Sequence, residues 1–256
     1  MDNNQLKEPA STAPGIERVR HDTRRRRLTV ESVVDITPGM RRITLTGDDL
    51  ADFTSLAPDD HIKIFVRAAD GNEERRDYTP RRYDNTERRL TIDFALHEAG
   101  PVTRWAIEAR SGDRLEIGGP RGSAVVSATV KRWLLIGDET ALSAIGRRIE
   151  ESAAGTVITA IAVVTGPLEE QSFGTRAELD IRWAHRPLSQ ATDATALLKF
   201  LSTVDIQPET FVWVAAEASV TRDIRAYLLE RGYPLSWIKA SGYWVFGKAD
   251  TTEKFG

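Results

Sequence analysis

Hydrophobic and polar positions fall into two regimes along the chain. From Leu28 to about Val126 the apolar residues come in short β-branched or alternating runs, separated by Pro, Gly and Asp. Leu28–Ile36, Arg42–Thr46, His61–Arg67 and Arg114–Ile117 are such runs. The clearest alternation is Leu90, Ile92, Phe94 and Leu96, with Thr91, Asp93, Ala95 and His97 on the opposite face. A period of two marks a half-buried strand. One helix interrupts the series, starting at Gly100-Pro101 and running to about Arg110. Proline suits a first helical position because its missing N–H would be unpaired there anyway. Short antiparallel strands with a single helix predict a six-stranded β-barrel over residues 21–127.

From Arg132 the period changes. Trp133–Ile136, Val157–Val164, Leu179–Trp183, Phe211–Ala215 and Trp237–Lys239 read as five short apolar strands. Between them, Ala141–Glu151, Ala194–Val204 and Val220–Arg231 carry apolar residues at helical spacing. Strand alternating with helix predicts an α/β domain with a five-stranded parallel sheet over residues 128–250. The polar, Pro-containing start predicts a disordered tail over residues 1–20, and residues 251–256 read as a short C-terminal tail.

Composition sharpens this picture mainly by exclusion. The sequence has no cysteine. That removes disulfides, a thiolate nucleophile, and Cys-ligated zinc or iron–sulfur sites. The four histidines, His21, His61, His97 and His185, never fall at i, i+3 or i, i+4, so a helical two-His metal motif is absent and no metal site is expected. With 35 basic and 38 acidic residues the net charge is -3, which gives no nucleic-acid surface by bulk charge. The run Arg24–Arg27 is either an anchor for an acidic partner or a solvated strand entry, and the second reading is preferred. No apolar run is long enough to span a membrane, and the N-terminus lacks a signal-peptide pattern. The expectation is a cytoplasmic monomer without membrane or nucleic-acid partners.

Two segments carry candidate chemistry. In Arg76-Asp77-Tyr78-Thr79-Pro80-Arg81, Tyr78 offers a flat face to a ring system, Thr79 a hydroxyl, and Arg76 and Arg81 forks for a pyrophosphate. The same residues also suit an exposed strand of alternating charge. In Asp93 to Trp105 a strand delivers the chain into a helix start. There the unpaired N–H groups, together with Gly100, Pro101, Val102 and Thr103, form an anion site. Arg104 adds charge. His97 is either a ring contact or a strand-end histidine bonded to backbone, and Trp105 either core or cofactor contact.

Taken together, Arg76 to Arg81, Asp93 to His97 and Gly100 to Ala106 resemble the siderophore-interacting proteins. These are FAD-dependent ferric-siderophore reductases of the ferredoxin reductase superfamily. Gly118 to Ser123, Gly137 to Leu142, Trp213 to Ala218 and Ser241 to Trp244 continue the resemblance in order across both domains. The resemblance implies an FAD-binding barrel followed by an NAD(P)H-binding α/β domain. It places Tyr78 on the isoalloxazine, Thr79 near its reactive nitrogen, Arg76 and Arg81 on the phosphate–ribitol portion, and the Gly100–Thr103 helix start on the pyrophosphate. It adds Asp93, Ala95, His97, Val102 and Trp105 to the cofactor-binding set. Asp138, Glu139, Thr140 and Ala141 stand at the nicotinamide turn, where the Gly-x-Gly-x-x-Gly fingerprint is absent. Glu217, Tyr243 and Trp244 flank the cofactors, and Glu98 is a further carboxylate near them.

Lys63, with Arg121 and Lys239, is the implied basic pocket for an anionic ferric siderophore. No catalytic side chain is expected, because the redox chemistry belongs to the flavin. The chain departs from the family where Val245 and Phe246, rather than Arg, follow Tyr-Trp, and at Ser143 and Ala216. The implied activity is transfer of electrons from NAD(P)H through FAD to Fe(III), releasing Fe(II). The alternative is a flavin-containing ferric-siderophore binding protein, served by reduced ferredoxin or turning over no NAD(P)H.

Overall fold

The computed structural model describes residues 13–68, 70–96, 100–248 and 251–255. Seven antiparallel strands build the first sheet. They are β2 (Arg25–Thr37), β3 (Met40–Thr46), β4 (Ile62–Arg67), β5 (Glu73–Tyr78), β6 (Pro80–Asp84), β7 (Arg89–Ala95) and β8 (Arg114–Gly118). Their order is β5-β4-β8-β2-β3-β7-β6. The two edge strands, β5 and β6, are consecutive in the chain and separated by Thr79 alone. A sheet whose edges must meet across one residue curls on itself, and the barrel architecture follows. Leu28, Val30, Ile43, Leu45, Ile64, Leu90, Ile92, Phe94 and Ile117 fill its interior. Helix α1 (Pro101–Glu108) adds Val102 and Ala106 to the same core.

The barrel has one strand more than the six expected, because the charged run Glu73–Tyr78 is a strand of its own and Thr79 breaks it from β6. Period-two burial also disposes of the arginine run. In β2, Arg26 points inward with Leu28 and Val30. Its guanidinium donates to the carbonyls of Asp49 and Gly119. Arg24 pairs with Asp52, and Arg25 with Glu73 and Glu116. Arg26 is thus buried, while Arg24, Arg25 and Arg27 stay on the surface, paired with carboxylates of the same sheet and its loops.

Strand β1 (Ile16–Arg20) pairs antiparallel with β9 (Gly122–Val126). Residues 16–20 are thus a strand where a tail was expected. The chain passes from β9 into the second sheet between Val126 and Arg132. There β10 (Arg132–Asp138), β11 (Val157–Val164), β12 (Glu178–His185), β13 (Thr210–Glu217) and β14 (Ile238–Trp244) run parallel, in the order β12-β11-β10-β13-β14. An antiparallel edge strand, β15 (Glu253–Phe255), lies in the stretch read as a C-terminal tail. Helix α2 (Leu142–Glu151) packs with Trp133, Leu135 and Phe211 on one face. Helices α3 (Thr195–Leu201) and α4 (Ala218–Glu230) pack with Leu134, Ile136 and Val214 on the other. Strand order reverses beside β10, so the crevice at the carboxyl ends of β10 and β13 is the place where such sheets take ligands. Among the described residues no helix is long and apolar enough to cross a membrane.

A small apolar cluster joins the domains, with Met40 of the barrel against Leu142, Ala162 and Val164. Nearby, Glu169 accepts hydrogen bonds from the Thr37 hydroxyl and the Gly39 N–H (2.8 Å), closing the seam over the β2–β3 turn.

Candidate functional site

On the barrel side, the β5–Thr79–β6 bend and the start of α1 come together. The Tyr78 ring lies 4.6 Å from that of Phe94, centroid to centroid. Burial pushes its phenol up to about 12, with the nearby Thr103 hydroxyl and the charge of Arg76 pulling the other way. Tyr78 packs on the same core as Val102 and Ala106 of α1, so the bend and the helix start stand side by side. Gly100 is the N-cap of that helix in extended conformation, and no side chain caps it. Pro101 has no N–H, Arg104 N–H turns back to the Gly100 carbonyl, and the amides of Val102 and Thr103 meet no partner among the described residues. No described atom stands within 4 Å of where a Cβ on Gly100 would lie. An uncapped helix start with open space before it suits a phosphate.

At the crevice of the second sheet the carboxylates are already engaged. Asp138 is 1% exposed. Its Oδ1 accepts from Thr140 N–H (2.9 Å) and Thr140 Oγ1 (2.5 Å). Its Oδ2 accepts from Glu217 N–H (2.9 Å) and Trp244 Nε1 (2.9 Å). Gly137 permits this tight strand-to-helix turn, since a Cβ there would lie 2.6 Å from that of Ala141 and 2.7 Å from the Ala215 carbonyl oxygen. Glu217 caps α4 through Ser219 N–H (2.6 Å) and Val220 N–H (3.3 Å), and accepts from Phe246 N–H (3.2 Å). Burial raises its carboxyl, but these hydrogen bonds outweigh burial and leave it below the usual range. Glu139 behaves oppositely. Burial first, and then the Asp138 charge, push it up to about 7 despite Arg186 at 3.1 Å.

The structure brings Arg76, Tyr78, Thr79, Gly100, Pro101, Val102 and Thr103 to one side of the seam. It groups Asp138, Glu139, Thr140, Ala141, Glu217 and Trp244 on the other. The Tyr243 hydroxyl is buried between them without a well-directed hydrogen bond, and burial raises it well above its ordinary value. His97 and Glu98 lie outside the described residues.

Several expected contacts are reassigned. Arg81 is 5% exposed, and its fork is held by Glu150 (2.8 and 2.6 Å), with Asp93 at 3.5 Å. It ties the domains together and is not free to clamp a phosphate. Asp93 takes a two-pronged bond from Arg42 (2.7 and 2.8 Å) and serves that network, with Ala95 at the strand end beside Met40. Trp105 packs on the barrel core 5.9 Å from Phe94. Lys239 pairs with Asp59 at 2.6 Å, which also accepts from Trp213 Nε1. Lys63 pairs with Asp77 at 2.9 Å across β4–β5. Of the three cations expected in the basic pocket, Arg121 is the exposed one.

Sequence reading missed the groups that close the seam: Ser55, Asp59, Arg147 and Glu150. Arg147 faces the buried side of α2, and its partners across the seam, Ser55 and Pro80, are distant in sequence.

Comparison with known proteins follows this division. A family described as "Siderophore-interacting protein" matches residues 130–247, and one described as "Siderophore-interacting FAD-binding domain" matches 29–75 and 69–124. The chain is 33% identical over 250 residues to the NADPH-dependent ferric-chelate reductase of Escherichia coli, covering 89% of this chain and 96% of that one. It is 26% identical to a ferric vibriobactin reductase of Vibrio cholerae over 63% of this chain and 67% of that one. A solved siderophore utilization protein from T. fusca superposes with a TM-score of 0.85 at 34% identity, covering 93% and 98% of the two chains. The ferredoxin reductase in carbazole 1,9a-dioxygenase shares the fold, with a TM-score of 0.65 at 17% identity over 84% of this chain and 68% of that one.

Proposed function

The chain belongs to the siderophore-interacting protein family, and on that premise we propose that it is an FAD-binding, NADPH-dependent reductase of ferric siderophores and other ferric chelates. The carrying observation is the first turn of α1, which starts at Gly100 without a side-chain cap among the described residues and stands beside Tyr78 on the barrel core. These residues fit a dinucleotide that has a flat ring and a pyrophosphate.

FAD, when bound, supplies the acceptor for a nicotinamide hydride and the donor of single electrons to Fe(III). The chain supplies placement. Val102 and Thr103 N–H groups would hold the pyrophosphate, and Arg76, now paired with Glu74 at 3.1 Å, would have to leave that partner to add charge to it. Tyr78 and Thr79 present a flat face and a hydroxyl to the ring. The Asp138 turn shapes the nicotinamide crevice without contributing a free acid or base. Each NADPH oxidised balances two ferric ions reduced, and Fe(II) leaves because hard siderophore oxygens hold it less tightly than Fe(III). The cytoplasm, which holds NADPH, is the compartment assigned.

The charge pattern bears on substrate. Lys63 is already paired with Asp77 and Lys239 with Asp59, so recognition of a highly anionic chelate falls chiefly to Arg121. The fully satisfied Asp138–Glu217 crevice favours a second reading, in which reduced ferredoxin, or no soluble donor, serves the flavin. An anaerobic absorbance spectrum of the FAD-loaded protein separates them. Bleaching by NADPH and recovery on adding a ferric siderophore, with Fe(II) trapped, supports the reductase. A flavin that ignores NADPH supports the second reading, and absence of flavin binding overturns both.

A further inference from the structure

The bend that carries Tyr78 and Thr79 is gripped from behind by the second domain. Arg147 of α2 is 2% exposed. Its Nη1 donates to the Pro80 carbonyl (3.1 Å) and to Ser55 Oγ (2.9 Å), its Nη2 to the Ser55 carbonyl (3.3 Å), and its Nε to Glu151 (2.9 Å). One residue beyond Pro80, Arg81 is held by Glu150 of the same helix. Gly146 makes the approach possible, since a Cβ there would lie 2.9 Å from Arg81 Nη2 and 2.8 Å from the Phe173 ring.

The other end of α2 grows directly out of the Glu139–Ala141 turn at the nicotinamide crevice. From Leu142 to Arg147 the helix climbs about five steps of 1.5 Å, or about 7.5 Å of rigid helix. One short helix therefore touches the donor turn with its start and the flavin-side bend with its last turn and a half. Burying a guanidinium has a large desolvation cost, and an apolar side chain would fill the space without it. What an apolar residue cannot do is fix one geometry through four directed bonds.

We propose that Arg147 is a positioning residue that sets the separation of the nicotinamide crevice from the Tyr78–Thr79 face. The inference rests on the reductase reading above. In the step concerned, both electrons of a nicotinamide C–H bond move as hydride from NADPH, oxidised to NADP+, to FAD, which is reduced. That transfer crosses the seam. Electron delivery to Fe(III) does not use this alignment.

The test compares wild type with Arg147→Met and Arg147→Lys, all as FAD-loaded full chains. The first readout is the long-wavelength charge-transfer absorbance that appears when NADP+ stacks on reduced flavin. The second is the anaerobic rate of flavin reduction at saturating NADPH. The third is the rate at which dithionite-reduced protein is reoxidised by a ferric chelate.

For R147M the charge-transfer band should vanish and the reduction rate fall on the order of a hundredfold, the scale of an ångström-sized misplacement. Reoxidation should be unchanged, and R147K should recover part of the loss. A general loss of stability would not split the two half-reactions. If R147M does not fold, Glu150→Gln, at the half-exposed end of the same grip, carries the test with a smaller loss in the same direction. R147M or E150Q with wild-type band and reduction rate would overturn the inference alone. Wild-type protein that takes up no FAD would overturn it together with the flavin reading.

Discussion

The two sides of the seam treat helix N-termini in opposite ways. In the barrel, α1 starts at a glycine with no side-chain cap and open space in front of it. In the second domain, Glu217 caps α4, and Asp138 closes the 3-10 turn that precedes α2. Unsatisfied N–H groups at a helix start attract an anion, while capped ones have already found theirs. The contrast separates a group that stays from one that comes and goes. On the function proposed above, the barrel would keep its donors for a resident pyrophosphate, while the crevice offers a passing nucleotide few unsatisfied groups.

The strongest way to break the contrast is Gly100→Asp. The backbone there is extended and no described atom stands where the new side chain would go, so the variant should fold with its carboxylate capping α1. FAD affinity should fall about tenfold to a hundredfold, that is about 1.4–2.8 kcal/mol, measured by quenching of flavin fluorescence. The apoprotein should gain a few tenths of a kcal/mol over glycine.

The converse change, Glu217→Ala, opens the closed side. Losing the α4 cap should cost about 1–2 kcal/mol in denaturant unfolding, with FAD affinity unchanged. Because the Glu217 carboxyl is held below its usual range, the wild-type contribution is present above that range and lost as pH falls through the folded value, and the variant should lack this acid-side decline.

Glu139 sharpens the comparison with the opposite sign. The fold raises it from 4.5 to about 7, so the folded state holds its proton more tightly than the unfolded chain. Its contribution is therefore complete below pH 4.5 and lost as pH rises through about 7. Melting temperatures of wild type should drop between about pH 5 and about pH 8, and Glu139→Gln should flatten that slope.

The smallest effect belongs to Lys63. Since Asp77 already neutralises it, Lys63→Glu should raise KM for an anionic ferric chelate at most about fivefold, the equivalent of about 1 kcal/mol, and leave a neutral chelate unaffected.

How far these features were legible in the sequence depended on whether the signal was local. Leu90 to Leu96 alternates, and β7 covers that stretch almost residue for residue. Val157–Val164 is continuous and apolar and is β11. Strand β5 was hidden because Glu-Glu-Arg-Arg-Asp-Tyr has no apolar alternation, and its pairing with β4 is what makes it a strand. The helix start at Gly100-Pro101 was readable from residue types alone. The fate of Arg81 was not. A pyrophosphate clamp and an interdomain tie need the same guanidinium, and Glu150, 69 positions away, decides between them. The same holds for Lys63 and Lys239, which read as free cations until strand register and domain packing put Asp77 and Asp59 beside them.

The grip of α2 on the barrel also bears on how the chain reaches its native state. The barrel strands are synthesised first, yet Arg81 finds Glu150 only after a further 69 residues have emerged, and the Thr37–Gly39 turn waits longer still for Glu169. A barrel ending at the topological boundary would leave the Arg81 guanidinium with only the longer Asp93 contact and without the Glu150 fork that holds it in the whole chain. The boundary between the sheets is therefore not a boundary of stability. The chain should unfold in a single transition, and its first half should depend on its second to become fully folded.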